Sequence, residues 1–358
     1  MIPSGARVLV VGAGIVGCAV AYFLARRGCQ VVVLDEHGVA ESATSRASLG
    51  VLSHPNGGDN PYAQLYRDGH ALHSVLAAEL AEETGLDVGW RPLGGVELCA
   101  DEQEREEIYQ FNRSRGCAVE RLDERALQAR EPALVGGDRG LFFPDDHRVD
   151  PPKLGVALWA GAQKRGAVAH SGERVARLAQ DAGGVEVATR REVYRGDFAV
   201  LAAGAWTGPL AAMLGAKVAV RPVRGQHVRL GGSPLRHLVR ARGRYMVSDG
   251  DTTIAGSTVE EVGYALDTTT EAAADLRAWI GRLLGRDLPL VEQRAGLRPK
   301  PRGGRPLIGP LAATPRFFVA SGHYKNGVLL GPISGKIIAR WIVEGAPGRD
   351  MDRFEPER

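Results

Sequence analysis

Three glycines near the start of the chain carry the plainest chemistry in the sequence. In Gly12-x-Gly14-x-x-Gly17 each glycine has its own job. The first permits a tight strand-to-helix turn, the second lets a pyrophosphate approach the backbone with no Cβ in the way, and the third lets the helix pack close to the strand. Phosphates then meet the helix N-terminus, where free N–H groups and the macrodipole favour an anion. Asp35 stands 23 positions past Gly12, at the end of the next strand-like run. A carboxylate there accepts hydrogen bonds from an adenosine ribose and disfavours the extra phosphate of NADP. The pattern predicts a dinucleotide site and leaves FAD and NAD both open as its occupant.

Other reactive constellations are not evident. Cys18, Cys29, Cys99 and Cys117 have no CxxC spacing, which argues against a metal set or a disulfide framework and for a reducing, cytoplasmic setting. Of the histidines, His37, His70, His73, His147, His170, His227 and His237 form no metal-ligand spacing, and no Ser/His/Asp arrangement can be assembled. Lys plus Arg is 45 against Asp plus Glu at 42, an excess too small and too evenly spread for a nucleic-acid or membrane-surface protein. With 44% hydrophobic and 24% charged residues, a sizeable core is expected.

These residues need elements to position them. Val8 to Ala25 is a stretch of 18 residues without charge, bounded by Arg7 and by Arg26-Arg27. By length alone it fits a signal anchor or a marginal transmembrane helix. Its internal order points instead to a βαβ unit: a β-branched run, the glycine turn, a helical pattern, then Val31-Val32-Val33-Leu34 ending in Asp35-Glu36. Residues 44–58 read as a small-residue loop, 62–84 as a helix, 85–100 as strand, and 101–130 as a charged helical stretch. Phe142 to Lys153, with its prolines, suggests a crossing between domains. A helix from Pro152 to Arg165, strands near Val175 and Val185, and an apolar strand from Phe198 follow. Strand-like runs at 226–230 and 245–257 precede helices at about 270–284 and 333–344.

Several separated segments together resemble the D-amino acid oxidase superfamily of FAD-dependent oxidoreductases, and within it glycine oxidase. The N-terminal βαβ carries the superfamily pattern. Val200-Leu201-Ala202-Ala203-Gly204-Ala205-Trp206-Thr207 resembles its second flavin-side strand and turn. Gly296-Leu297-Arg298-Pro299 with Pro306-Leu307-Ile308-Gly309 resembles its substrate-arginine segment, and Gly322 to Pro332 its closing flavin turn. The resemblance implies noncovalent FAD, since no cysteine stands in the C-terminal third. It implies cofactor contacts from Gly12, Gly14, Ile15, Val16, Gly17, Asp35 and Glu36, from Thr44, Ser45, Leu49, Gly50 and Val51, from Val175, Gly204 and Trp206, and from His323, Tyr324, Lys325, Asn326, Gly327, Val328 and Leu329. Lys325 stands where glycine oxidase usually has arginine.

Three residues are expected at the substrate. Arg298 offers a carboxylate the bidentate fork that lysine lacks. Tyr245 matches the family's aromatic position, and His54 follows the flavin-covering loop. The implied reaction is oxidation of glycine, sarcosine or a small D-amino acid by hydride transfer from Cα to flavin N5. The imine hydrolyses to an oxo acid and ammonia or amine, and dioxygen is reduced to hydrogen peroxide. A dehydrogenase passing electrons to a quinone or partner protein, and a non-catalytic flavin-binding module, remain alternatives. The expected architecture is α/β, a Rossmann-like FAD domain (1–84, 141–219, 296–358) interleaved with a substrate domain on a mostly antiparallel sheet (85–140, 220–295). Oligomeric state is open, a homo-oligomer included.

Overall fold

The computed structural model describes residues 5–54, 57–135 and 137–358. Pro55 and Asn56 of the expected loop, and residues 1–4 of the first expected domain segment, lie outside the described residues. The strand Arg7–Val11, the helix Ile15–Arg26 and the strand Gln30–Asp35 follow one another as the pattern requires. Arg7–Val11 lies inside a six-stranded sheet. On one side it pairs in parallel with Gln30–Asp35, which pairs with Val168–Ser171. On the other it pairs with Phe198–Leu201, then Phe317–Ser321, and the antiparallel strand Leu307–Pro310 closes that edge. Strand order reverses at Arg7–Val11, and open α/β sheets take ligands beyond the strand ends at such a point.

The helix Ile15–Arg26 is buried along nearly its whole length. The helix Gly327–Glu344 crosses it so closely that a Cβ on Gly335 would stand 2.7 Å from the Ala19 carbonyl carbon. On another side, Gly161 of the helix Pro151–Gln163 leaves room for the Tyr22 ring. The uncharged stretch is therefore apolar because protein surrounds it. Among the described residues no helix is long and apolar enough to cross a membrane.

The second large sheet has eight strands in the order Leu290–Pro301, Val220–Gly231, Thr252–Gly256, Arg244–Asp249, Leu238–Ala241, Gly95–Leu98, Arg139–Phe143 and Glu120–Asp123. All neighbours are antiparallel except Leu238–Ala241 with Gly95–Leu98. Alternation along these strands sorts side chains onto two faces. Val228, Ala255, Met246, Val239 and Val96 share one register line and pack under Leu276, Trp279 and Ile280 of the helix Thr270–Leu284. The adjacent line, His227, Gly256, Tyr245, Arg240 and Glu97, faces the other way. His227 Nδ1 donates to the Ala47 carbonyl at 2.8 Å, so this face looks toward the segment after the second strand of the six-stranded sheet.

Some elements differ from expectation. Ala43–Arg46 is one helical turn within the expected loop. Asp87–Trp90 is not strand, because the Gly89 N–H (φ 67°) donates to Asp87 Oδ1 at 2.8 Å and turns the chain. The stretch 101–130 is two helices, Glu102–Arg113 and Glu124–Arg130, each capped by an aspartate, with the strand Glu120–Asp123 between them. The last helix begins at Gly327, before Pro332, and His73 Nε2 donates to the Leu329 carbonyl of its first turns at 3.1 Å. Arg139–Phe143 crosses the expected domain boundary at 141, and Leu290–Pro301 crosses the one at 296.

Burial pushes His73, His227 and His323 down to about 4 from an ordinary value near 6.5. The unfolded chain takes up these protons at a pH where the folded chain cannot. Stability is therefore complete above pH 6.5 and falls as pH drops toward 4, by about 1.4 kcal/mol per pH unit for each histidine. Urea midpoints should decline steadily from pH 7 to pH 5. A midpoint that stays level over that range contradicts this account.

Candidate active site

Loops from both chain ends converge beyond the strand ends of the six-stranded sheet. Gly12 has φ 104°, and a Cβ there would stand 2.6 Å from the Ala202 carbonyl oxygen. A Cβ on Gly17 would run into the Gly12 carbonyl oxygen. Gly14 differs: its φ is −71°, and a Cβ would meet nothing closer than Ser42 at 3.4 Å. No part of the protein requires glycine there, so the space over its backbone can hold a ligand. The first helical N–H, at Ile15, is satisfied by Ser45 Oγ at 3.1 Å, and Val16 lies against Gly331. The residues present fit a dinucleotide, with a bare backbone at a helix N-terminus and a carboxylate on the next strand.

That carboxylate is turned inward. Asp35 Oδ2 accepts from the Ala13 N–H at 2.6 Å and Oδ1 from the His37 N–H at 2.7 Å. Each oxygen keeps a further lone pair for a ribose hydroxyl. Glu36 is exposed and pairs with Arg174 at 3.5 Å. Val175 follows Glu173, whose N–H donates to the Asp35 carbonyl at 2.9 Å.

The covering segment is stitched down on both sides. Thr44 Oγ1 donates to the Leu297 carbonyl at 3.0 Å and accepts from the Leu297 N–H at 3.1 Å, which fixes the residue before Arg298. The Leu49 carbonyl accepts from Arg148 Nε at 3.1 Å, Gly50 (φ 74°) closes on the Val149 carbonyl, and Val51 pairs with Arg148. Gly204 (φ 55°) accepts from Ser321 Oγ at 2.9 Å. Trp206, expected at the cofactor, is 43% exposed and packs its ring on Tyr264.

In the closing turn the residues divide. His323 is buried; its Nε2 bonds Ser334 Oγ at 2.9 Å while that hydroxyl donates to the Leu330 carbonyl, so the imidazole is a neutral Nε2–H donor. It pins the turn from beneath. Tyr324 has φ 51°, a strained value for a side-chain-bearing residue that is concentrated at functional sites. Asn326 Nδ2 donates to Tyr62 Oη at 2.9 Å, and Gly327, Val328 and Leu329 open the last helix. Lys325 meets solvent over much of its side chain, yet partial burial and the charges of Arg298 and Lys300 pull its ammonium down.

Arg298 is largely buried. Nη1 donates to the Thr258 carbonyl at 3.0 Å and Nη2 to Ser257 Oγ at 2.6 Å. Its guanidinium lies over Gly225, where any Cβ would collide with it. No carboxylate lies within 4.0 Å among the described residues; the nearby Glu260 is engaged by Arg224 and Gln226. Burial pulls the guanidinium below its ordinary value, and Tyr324, Glu260 and Tyr245 act against that. It stays protonated, with three of its five N–H donors unspent.

His54 is held from every side. Its N–H donates to Asp146 Oδ1 at 2.7 Å, Nδ1 meets the same oxygen at 3.0 Å, Nε2 meets Asn112 Oδ1 at 3.2 Å, and the ring stacks on Phe143 at 3.9 Å. Burial alone would raise the Asp146 carboxyl, but the Arg240 ion pair and His54 hold it low. Arg240 lies over both the Phe143 and Tyr245 rings. Asp146, Asn112 and Arg240 were not singled out from the sequence. The signal available was an arginine inside a short apolar strand, a position that requires a buried partner. Among the described residues no group of three His, Cys, Asp or Glu side chains is arranged to hold a metal ion.

The chain matches the family described as DAO, FAD dependent oxidoreductase, over residues 7–341. It is 33% identical to a glycine oxidase of Pseudomonas aeruginosa, over 98% of each chain. The crystal structure of glycine oxidase from Geobacillus kaustophilus superimposes with a TM-score of 0.93 at 28% identity, covering 99% of both chains. That of an iminodiacetate oxidase from Chelativorans sp. BNC1 superimposes with a TM-score of 0.89 at 26% identity, covering 98% of this chain and 99% of the other. The full-length match, the shared fold and the glycine-built nucleotide turn lead to one statement: the chain belongs to the DAO family of FAD-dependent oxidoreductases, as a glycine oxidase-like member.

Proposed function

We propose that this FAD-dependent oxidoreductase oxidises a small amine or amino acid, with glycine, sarcosine and small D-amino acids as the substrate class. The observation that carries the reading is Arg298, a largely buried guanidinium that among the described residues has no carboxylate partner and keeps three free donors. A buried cation in this state favours an anion of matching geometry, and a substrate α-carboxylate supplies one. Ser257 and Thr258 fix the direction of the fork, and Thr44 fixes the strand beneath it.

FAD, when bound, would supply the two-electron chemistry of this reaction, with a hydride from the substrate carbon as its source of electrons and dioxygen as their acceptor. The protein binds and orients. Arg298 takes the carboxylate, and Tyr245 offers its hydroxyl on the same sheet face. With Arg298 and Lys325 nearby, a bound ammonium is disfavoured relative to the free amine, because like charges lower its proton affinity. This promotes loss of the amine proton without a dedicated base, and the neutral nitrogen lone pair then assists removal of the Cα hydride. Water hydrolyses the resulting imine to an oxo acid and ammonia or amine. His54, locked between Asp146 and Asn112, serves as a fixed wall and positions the covering segment. The bare backbone at Gly14, at the N-terminus of the helix Ile15–Arg26, would hold the pyrophosphate, while Gly12 and Gly17 shape the turn beneath it.

Anaerobic mixing with glycine, sarcosine and a panel of D-amino acids should bleach the flavin, and the same mixtures under air should yield peroxide. Bleaching without peroxide would indicate a dehydrogenase; no bleaching by any amine would leave a binding module. Arg298→Ala should lower kcat/KM by about 30-fold to a few thousand-fold, or about 2–5 kcal/mol, with FAD content unchanged. Arg298→Lys should recover only part of that. Stripped of cofactor, Gly14→Ala should melt like the stripped parent, yet it should rebind FAD far more weakly, because the added methyl fits the protein and not the ligand. Gly17→Ala should lose stability as well. If Gly14→Ala retains FAD at the parent's affinity, the phosphate does not lie over that backbone.

A further inference from the structure

A cavity of about 560 Å³ opens beside the closing turn. Asn326 and Tyr62, hydrogen-bonded to each other, form one wall, and His54 with Asn112 another. Two carboxylates line it: Glu97, half-buried on the eight-stranded sheet, and Glu107, exposed on the helix Glu102–Arg113. Nothing in the proposed reaction uses either of them.

Glu97 is unlike its neighbours. Asp146 is bound by Arg240 and His54, and Glu260 by Arg224 and Gln226. The Glu97 carboxylate has no hydrogen bond and no cation within 4.0 Å among the described residues. Burial pushes its carboxyl up, and Arg240 and His54 act against that from a distance. Desolvating a carboxylate without a partner is unfavourable, and a donor arriving in the cavity removes that penalty.

The register ties this cavity to the substrate site. Glu97 is directly opposite Arg240, and Arg240 directly opposite Tyr245, so all three project from one face. At ~4.8 Å per strand, Glu97 stands roughly 10 Å across the sheet from Tyr245. At the other end, Asn326 adjoins Lys325, whose ammonium feels the charge of Arg298. Arg298, Tyr245 and Lys325 do not line the cavity itself; it meets the closing turn at Asn326, and the sheet face that carries Tyr245 and Arg240 leads from there to Glu97.

We infer that this cavity is a subsite for a cationic group of the substrate, an ammonium or guanidinium bound by Glu97, at the far end of a molecule whose carboxylate is held by Arg298. The inference rests on the amino acid reading above and narrows it to amino acids with a second basic nitrogen. Glu107 adds negative potential to the cavity, and Tyr62 and Tyr66 line it as well.

The test uses FAD-loaded enzyme and ligands with no α-amine. γ-Aminobutanoate, δ-aminopentanoate and ε-aminohexanoate are compared with butanoate, pentanoate and hexanoate by perturbation of the flavin absorbance. At least one amino-terminated acid should bind about tenfold or more tightly than its parent acid. In Glu97→Gln, which retains shape and removes charge, that ratio should fall to near one. Equal binding of every pair in the parent enzyme, or a ratio that survives in Glu97→Gln, overturns the subsite. Binding of the parent acids that is indifferent to Arg298→Ala counts instead against the carboxylate clamp, so the two failures are separable.

Discussion

The fold depends on the close burial of one helix. Ile15–Arg26 is enclosed by the six-stranded sheet on one side and by the helices Pro151–Gln163 and Gly327–Glu344 on others. That enclosure demands an uncharged sequence and small residues at the crossings. Gly17 seats the helix on its own turn, and Gly331 and Gly335 let the last helix approach Val16 and Ala19. Since the last helix packs along the first, its N-terminal turn lies beside the first helix's N-terminal turn. Residues from both ends of the chain thereby face the same strand ends.

The second sheet sets the remaining geometry through alternation. One register line is apolar and buried under the helix Thr270–Leu284; the next carries His227, Tyr245, Arg240 and Glu97 toward the other layer. Polar groups on an inner face are stable only if partnered. His227 bonds the Ala47 carbonyl, and Arg240 pairs with the fully buried Asp146, which also receives His54. A buried ion pair is a weak source of stability. Its consequence here is positional, because Asp146 binds both the backbone and the ring of His54 and so ties the segment that covers the site to the sheet beneath it.

Sequence and structure agree where the signals are local. The βαβ unit reads directly from composition and glycine spacing. The helices Pro61–Thr84 and Thr270–Leu284 match the helices expected at 62–84 and about 270–284, and the structure adds their caps, Asn60 and Thr269. Agreement fails where distant partners decide. Glu120–Asp123 is strand only because Arg139–Phe143 lies beside it, and charge alone cannot reveal that. Pro332 hides the true start of the last helix, which His73 helps to satisfy from another element. Arg298 stands out as a candidate from its motif; Glu97 and Arg240 do not, because their placement comes from a register shared by strands far apart in sequence.

The charge distribution across this face gives the two ends of the site opposite preferences. Arg298, Lys325 and Lys300 gather at one end, and Glu97 with Glu107 at the other. Oxidation of an amine by hydride loss requires that the reacting nitrogen be neutral, and on the proposed reading the cationic end favours that state. A second nitrogen placed toward Glu97 would feel the reverse and keep its proton. Glu97 stands roughly 10 Å from Tyr245, and the strand of Arg298 lies on the far side of Tyr245, so each end is dominated by its own neighbouring charges. On the proposed reading, the nitrogen that reacts and the nitrogen that anchors meet opposite fields, and the register of Tyr245, Arg240 and Glu97 is what keeps those two environments apart.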